Sequence, residues 1–201
     1  MAAPELTLPF EGDWLVYWGG DTARLNHHHG VEPQNYAFDF TVQDTNGSRH
    51  EGDGDVNEDY YAYGRSVLAP AIAQVVELVD DIEENVPGET HRYNRLGNYI
   101  MLRHSPNLFS VLAHLKPGST LIAPGSTVSA GQPIAECGNS GNSTAPHLHY
   151  QLQDSKQMIP GLKLAHGLKP YFGALRVANQ AGITRIEHNY SPIKGDVVAN
   201  I

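Results

Sequence analysis

Short runs rich in Val, Ile, Leu, Phe and Tyr recur at Ser66–Pro70, Gln74–Asp80, Asn98–His104, Leu108–Leu115 and His147–Gln153, each bounded by Gly, Pro, Asn or Ser. Apolar runs of this length between turn formers predict strands. No window sustains an i, i+3, i+4, i+7 stripe for three turns, so no long amphipathic helix is expected. Many short strands at close spacing predict an all-β chain with a compact antiparallel sheet core, sandwich-like or barrel-like, and long loops. Residues 81–96 (DIEENVPGETHRYNRL) are polar and read as a long hairpin loop. From Met158 onward two further corners containing glycine or proline predict a tail wrapped on the core. With no internal repeat and no low-complexity tract, residues 1–201 read as one domain, its recognisable core at about 26–154 and a C-terminal extension at 155–201.

Composition narrows the function. Apolar residues make up 40% of the 201 positions and charged residues 17%, below the roughly 25% of an ordinary soluble domain. The formal charge is −9 with no basic run, so the clustered Lys and Arg that drive binding to a phosphate backbone are missing and nucleic acid is not an expected partner. No apolar stretch reaches the roughly 18 residues of a membrane span. The first basic residue is Arg24, and Leu6–Trp18 is interrupted by Pro9, Glu11, Gly12 and Asp13, unlike a signal peptide. That pattern fits a cytoplasmic chain or one whose leader has been replaced by Met1. Cys137 is the only cysteine, which excludes an internal disulfide and a cysteine-based zinc knuckle. A tightly held metal would have to use His, Asp or Glu.

Histidine is frequent, with 11 residues, and three groups lie beside strand-like sequence: Asn26-His27-His28-His29 with Asp39, Ala113-His114-Leu115, and His147-Leu148-His149. Residues two apart on a strand share a face, so His147 and His149 are expected to face one groove while Leu148 faces the core. In SVLAHL, alternation sets Val111 and Ala113 on one side and Leu112 and His114 on the other, and a neighbouring strand would have to direct His114 into that groove. Asp39 lies inside the apolar YAFDF, where an unpaired carboxylate is costly and a metal or hydrogen-bonded cation would relieve the cost. An H-x-H pair is expected by chance about 0.6 times in such a composition, so the pair alone is a weak signal. Taken singly, each histidine reads as a solvated or hydrogen-bonded side chain, including His50, His91, His104, His166 and His188.

The segment Gly125–Leu152 (GSTVSAGQPIAECGNSGNSTAPHLHYQL) resembles the signature of the lysostaphin-like, LytM-type zinc endopeptidases, cell-wall hydrolases in which a "G-x-x-V-x-x-G-Q-x-I" strand leads through a Gly/Ser/Asn loop to "HLHF". Upstream, SVLAHLKPGS (Ser110–Ser119) is similar to that family's "Y-x-HL" strand, RSVLAP (Arg65–Pro70) to its "V-x-AP" strand and GNYIMLRH (Gly97–His104) to its "GN-x-V-x-I-x-H" strand. The likeness runs in unbroken order over about residues 26–154. It implies a compact β-sheet fold of the duplicated hybrid motif type, with a narrow groove and one zinc at its floor.

Carried over by position, the resemblance makes His149 a zinc ligand and His147 and His114 the catalytic histidines. The family's "H-x-x-x-D" would supply the other ligands, but its spacing from Asp39 falls on Asn35. A longer-spaced form found in the family, N-x-H…Q-x-Y-A-x-D, is similar to Asn26-His27-His28…Gln34-Asn35-Tyr36-Ala37-Phe38-Asp39, which favours His28 as the ligand beside Asp39, with His29 next. Leu112 stands where the family's usual tyrosine does, removing a substrate hydroxyl contact. Two imidazoles and one carboxylate leave a catalytic zinc open to water and substrate, lowering the pKa of water toward about 7 and polarising the scissile carbonyl. His114 and His147 would then move the proton, work of the kind that contributes on the order of 10²–10⁴ in rate. Neither Gly-x-Ser-x-Gly nor His-Glu-x-x-His occurs.

The implied substrate is the peptide cross-link of bacterial peptidoglycan, and hence the implied location is periplasmic or secreted. The loop Gly138-Asn139-Ser140-Gly141-Asn142 reads either as a wall admitting a stiff peptide close to the backbone or as an ordinary hairpin connection. The acidic balance gives no attraction to anionic wall polymers, and no separate wall-binding domain is evident. Cys137 reads as a small buried residue. Three rival readings remain: a catalytically inactive LytM-like binding or regulatory module, a zinc peptidase acting on a non-wall peptide, and a cupin-type jelly roll. The last expects a glutamate soon after H-x-H, where this chain has Tyr150-Gln151-Leu152-Gln153.

Overall fold

In the computed structural model of the chain, residues 4–91, 93–157, 165–179 and 182–201 are described. The strands in chain order are β1 (Trp14–Trp18), β2 (Phe38–Thr41), β3 (Ser66–Leu68), β4 (Ala73–Val79), β5 (Asn98–Ser105), β6 (Leu108–Leu115) and β7 (Thr127–Val128). They continue with β8 (Pro133–Glu136), β9 (Leu148–Gln153), β10 (Gly167–Leu168), β11 (Phe172–Ala178), β12 (Thr184–Tyr190) and β13 (Val197–Asn200). Among the described residues the only helical element is one 3-10 turn, Asn57–Asp59. The fold is all-β, as the strand-length runs predict, and each of the five predicted runs coincides with a strand, β3, β4, β5, β6 or β9.

The main sheet is antiparallel and runs β12-β11-β13-β1-β2-β9-β6-β5-β4-β7, with β10 paired to β9, while β3 and β8 form a separate ribbon. β1, β2 and β10–β13 lie outside the predicted runs. β2 is only four residues, buried on both faces and centred on an acid, so it shows no alternation. β12, TRIEHNY, is the mostly polar outer strand of the sheet and buries too little to show a stripe. The chain after residue 164 is built into the sheet, because β11 pairs with β13 and β13 with β1. The corner at the start of that segment, in residues 158–164, lies outside the described residues.

The two faces of the central strands differ in chemistry. Phe38, Phe40, Ile100, Leu102, Leu112, Leu148 and Tyr150 pack into one large cluster with Phe10, Trp14 and Phe172. That face holds the core, and its burial is the main stabilising term. The opposite face carries Asp39, His149, Gln151 and Gln153, flanked by a small cluster of Met101, Phe109 and Val111. Leu112 pairs with Tyr150 on the core face, so its replacement of tyrosine leaves the polar face unaltered. Cys137 is fully buried, and burial pushes its thiol pKa up.

Candidate metal centre and its groove

β2 and β9 pair so that Asp39 lies opposite His149, and antiparallel partners share a face. Alternation therefore aims both away from the core while their neighbours Phe38, Phe40, Leu148 and Tyr150 point into it. Asp39 is 3% exposed, yet it is not isolated. His149 Nδ1 lies 3.0 Å from its Oδ1, His28 Nε2 3.1 Å from both oxygens, and His27 Nε2 3.0 Å from Oδ2. His147 Nε2 is 3.7 Å from Oδ1.

Asn26, fully buried, positions the histidine loop. Its amide donates to the carbonyls of Gly20 and Ala37, while its Oδ1 accepts the N–H of His28 at 3.0 Å. This explains the value of an asparagine two residues before His28, which sequence reading registers only as part of a pattern. His28 is the more enclosed of the two histidines on Asp39, with a side chain 13% exposed against 51% for His27. The reading that ranked His29 second is corrected: His27 reaches the carboxylate, stacked on Trp18 at 4.9 Å, whereas His29 is exposed and makes no side-chain contact with Asp39. A turn of consecutive residues does not project neighbouring side chains by the rule of a strand.

His114 reaches the same groove by breaking strand alternation. On β5 and β6, Asn98 pairs with Leu115 and Tyr99 with Ala113, which leaves His114 as the extra residue of a β-bulge with φ of 63°. Regular alternation would have aimed it with Leu112 toward the core. The bulge turns it toward His147 and His149, with ring centroids 4.8 and 5.7 Å away. The distortion is held by the His114 N–H donating to the Leu96 carbonyl at 3.0 Å and by the Gly138 N–H donating to the His114 carbonyl at 3.0 Å. A non-glycine residue in the left-handed region is a local cost that surrounding bonds must offset.

Hydrogen bonds settle the ring protons of three histidines. His114 Nδ1 donates to the Ser140 carbonyl at 2.8 Å and His147 Nδ1 to the Ala145 carbonyl at 2.8 Å, because a carbonyl can only accept. Each therefore turns an Nε2 lone pair toward the groove when neutral. On His149 the roles reverse. Nε2 faces Gln151 Oε1 at 3.0 Å, Gln151 Nε2 donates to Gln153 Oε1, and Gln153 Nε2 donates to the Ser155 carbonyl at 2.6 Å. Each amide is oriented by the next, so Gln151 accepts, His149 carries its proton on Nε2, and Nδ1 is free to act as a donor atom toward a cation. In the sequence Gln151 counts only against a cupin-type fold, and its two-residue spacing from His149 is the signal for this role.

Burial lowers the pKa of His28, His114 and His147; for His114 the neighbouring His147 and His149 lower it further, while for His28 and His147 the Asp39 carboxylate opposes the shift. Burial alone would raise Asp39, but His28, His147, His149 and His27 outweigh it and hold the carboxyl well below its ordinary range. A neutral His28 beside an ionised Asp39 is the state that metal ligation requires.

The glycine loop forms one wall, and its glycines are needed for packing. A Cβ on Gly97 would lie 2.4 Å from the Ser140 carbonyl carbon, and one on Gly141 would lie 2.2 Å from the Gly97 nitrogen. Of the two readings of this loop, the close packing of residues 94–97 against 138–142 gives Gly141 the structural role of a tight connection. The loop of residues 81–96 braces the wall: Glu84 accepts the Asn139 N–H at 3.0 Å, and the Asn85 amide donates to the Gly141 and Ser143 carbonyls. The resulting groove, about 580 Å³, is lined by the five predicted site residues together with His27, Tyr17, Trp18, Arg49 and Arg95, among others.

The family model described as Peptidase family M23 matches residues 59–160, just over half of the chain. The chain is 35% identical over 81 residues to an uncharacterized metalloprotease of Haemophilus influenzae, covering 40% of this chain and 17% of that protein. It is 38% identical over 63 residues to the peptidoglycan DD-endopeptidase ShyA of Vibrio cholerae, covering 31% of this chain and 14% of that protein. The chain thus spans less than a fifth of the length of either relative. In fold it is similar to pseudoalterin, an M23 metalloprotease from the deep sea, with a TM-score of 0.53 at 16% identity over 99% of this chain and 100% of that one. A zinc-containing peptidase from Vibrio cholerae gives a TM-score of 0.51 at 19% identity, covering 83% of this chain and 39% of that one.

Proposed function

The chain belongs to peptidase family M23, and from that premise we propose that it is a zinc-dependent endopeptidase that hydrolyses peptide cross-links of bacterial peptidoglycan, acting in the periplasm or outside the cell. The observation that carries this reading is one buried carboxylate, Asp39, with His28 and His149 nitrogens within 3.1 Å and His147 and His114 alongside in the same groove. The donor set fits zinc: two imidazole nitrogens and a carboxylate oxygen, no thiolate, and room left for water and substrate. His28, Asp39 and His149 are the proposed ligands, His149 through Nδ1. The peptidoglycan activity named for the relative ShyA supports the substrate class.

When bound, zinc supplies Lewis acidity at the groove floor, acidifying water and polarising a carbonyl. The remaining work falls to the chain. His147, neutral because it is buried, takes the proton of the attacking water on Nε2, and the nearby Asp39 carboxylate stabilises the imidazolium that results. His114, with its Nδ1 proton committed to Ser140, accepts a hydrogen bond on Nε2 and orients that water. His147 then returns its proton to the departing amine. The five ring and carboxylate positions are set by strand register, a bulge, a backbone carbonyl or the turn that Asn26 pins, so little reorganisation precedes reaction.

The test is digestion of purified peptidoglycan by the zinc-loaded protein, with newly exposed amino termini counted and His114→Ala as control. Release by the parent alone, abolished by a chelator, is the expected result. A folded, zinc-replete parent that releases no more than the variant on several wall types would overturn the reading.

A further inference from the structure

The groove differs in charge from the rest of the molecule. Acidic residues outnumber Lys and Arg by 22 to 13 along the chain. Inside the groove the balance reverses: Arg49 and Arg95 line it, and its one acid is Asp39, buried and surrounded by histidines. Elsewhere Lys116, Lys156, Lys169, Arg176 and Arg185 are each paired with a carboxylate. Among the described residues neither groove arginine has such a partner. Arg49, half-buried, has its guanidinium carbon 4.5 Å from the Tyr17 ring centroid, a contact that engages the guanidinium face and leaves its edges free to donate. Arg95 is exposed, but its backbone is fixed: its carbonyl accepts the Asn142 N–H at 3.1 Å, and the next carbonyl, of Leu96, holds the bulge at His114.

The two arginines flank the centre. Tyr17, beneath Arg49, is on β1, one strand beyond Asp39 on β2, whereas Arg95 precedes β5, one strand beyond His114 on β6. A peptide laid across the line from Asp39 to His114 therefore runs between Arg49 on one side and Arg95 on the other. An arginine edge with five fixed donors suits a carboxylate. A glycine bridge carries no side-chain carboxylate and leaves both arginines unused. We propose that Arg49 and Arg95 are specificity residues and that the groove selects peptides bearing a free carboxylate on each flank of the scissile bond over amidated or all-glycine ones. This inference rests on the endopeptidase reading and names the substrate class within it.

The probes are cross-linked peptide dimers built on a diamino acid, one with its free carboxylates and one with them amidated, plus pentaglycine. Cleavage by the zinc-loaded parent is measured for all three at low and high salt. Binding of each to zinc-loaded His114→Ala is measured by calorimetry. The acid dimer is expected to be preferred over the amide in both assays, the preference shrinking as salt screens the two arginine charges. Arg49→Gln should cut that preference about tenfold and Arg95→Gln about threefold, the smaller effect belonging to the more exposed charge. Thermal melting verifies that both variants are folded. A parent that treats acid and amide alike, or a preference that survives both substitutions, overturns the inference while leaving the peptidase reading intact. If no probe is cleaved, the peptidase reading fails, and the binding ratio alone decides whether the arginines select carboxylates.

Discussion

β9 and β6 lie side by side in the sheet and each delivers histidine to the same groove, but by opposite means. At β9, His149 and His147, the residue just before the strand, keep the two-residue period: Leu148 and Tyr150 fill the core between and beyond them, and Gln151 and Gln153 continue the polar face. On β6 the histidine departs from the period. His114 is the unpaired residue of a bulge, turned out of the core by a left-handed backbone and held there by Leu96, Gly138 and Ser140. Regular pairing sets side chains on one face two residues apart along each strand. The bulge brings a third ring to within 4.8 Å of His147 without another strand. A regular strand is suited to fixing ligands, and a sprung one to aiming a group that must meet substrate.

The largest expected effect tests the regular side. His149→Ala should lose tightly bound zinc and reduce hydrolysis at least about 10³-fold, read together from metal content and peptide release. On the bulged side His114→Ala should keep zinc and lose on the order of 10²–10⁴ in kcat, so metal content separates the two roles. Gln151→Leu breaks the amide chain that fixes the His149 proton, and zinc affinity in a chelator competition should drop about 10–100-fold with the fold intact.

Gly97→Ala strikes the support of the bulge. A methyl 2.4 Å from the Ser140 carbonyl carbon, at φ of 59°, should cost about 3 kcal/mol in denaturant unfolding, whereas Gly125→Ala, strained in backbone but facing open space, should cost less. Smallest is the effect of acid on the metal-free protein. Burial holds His28, His104 and His114 below the ordinary histidine value of 6.5, so the unfolded chain takes up protons first. Their stabilisation is complete above that value and is lost as pH falls through the lowered values. Asp39, also lowered, contributes stability that is lost at still lower pH. The melting temperature should therefore fall between about pH 7 and 5, and His104→Gln should flatten part of that slope.

This contrast also accounts for what could be read along the chain. The five strands are legible as short apolar runs bounded by turn formers, and the HLH face by its two-residue period. The family resemblance drew on the same residues, and the family match extends over 59–160. β2 is short and buried on both sides, with no alternation to detect, whereas β1, WLVYW between Gly12-Asp13 and Gly19-Gly20, carries the same apolar-run signal as the five and lies outside the predicted set. The choice of His27 over His29 as the second imidazole on Asp39 depends on a turn pinned by Asn26 to Gly20 and Ala37, which no spacing rule encodes. The aim of His114 depends on pairing between β5 and β6, a tertiary fact, and so does the use of Gly97 and Gly141 as mutual packing surfaces.

Anomalous diffraction at the zinc edge from crystals of the zinc-loaded protein tests the central claim most directly. The account predicts one zinc within about 2.0–2.2 Å of His28 Nε2, an Asp39 oxygen and His149 Nδ1, with His114 and His147 unliganded and facing an open position. Zinc held instead by His27 together with these three, closing the site with four protein ligands, or bound away from Asp39, would contradict it.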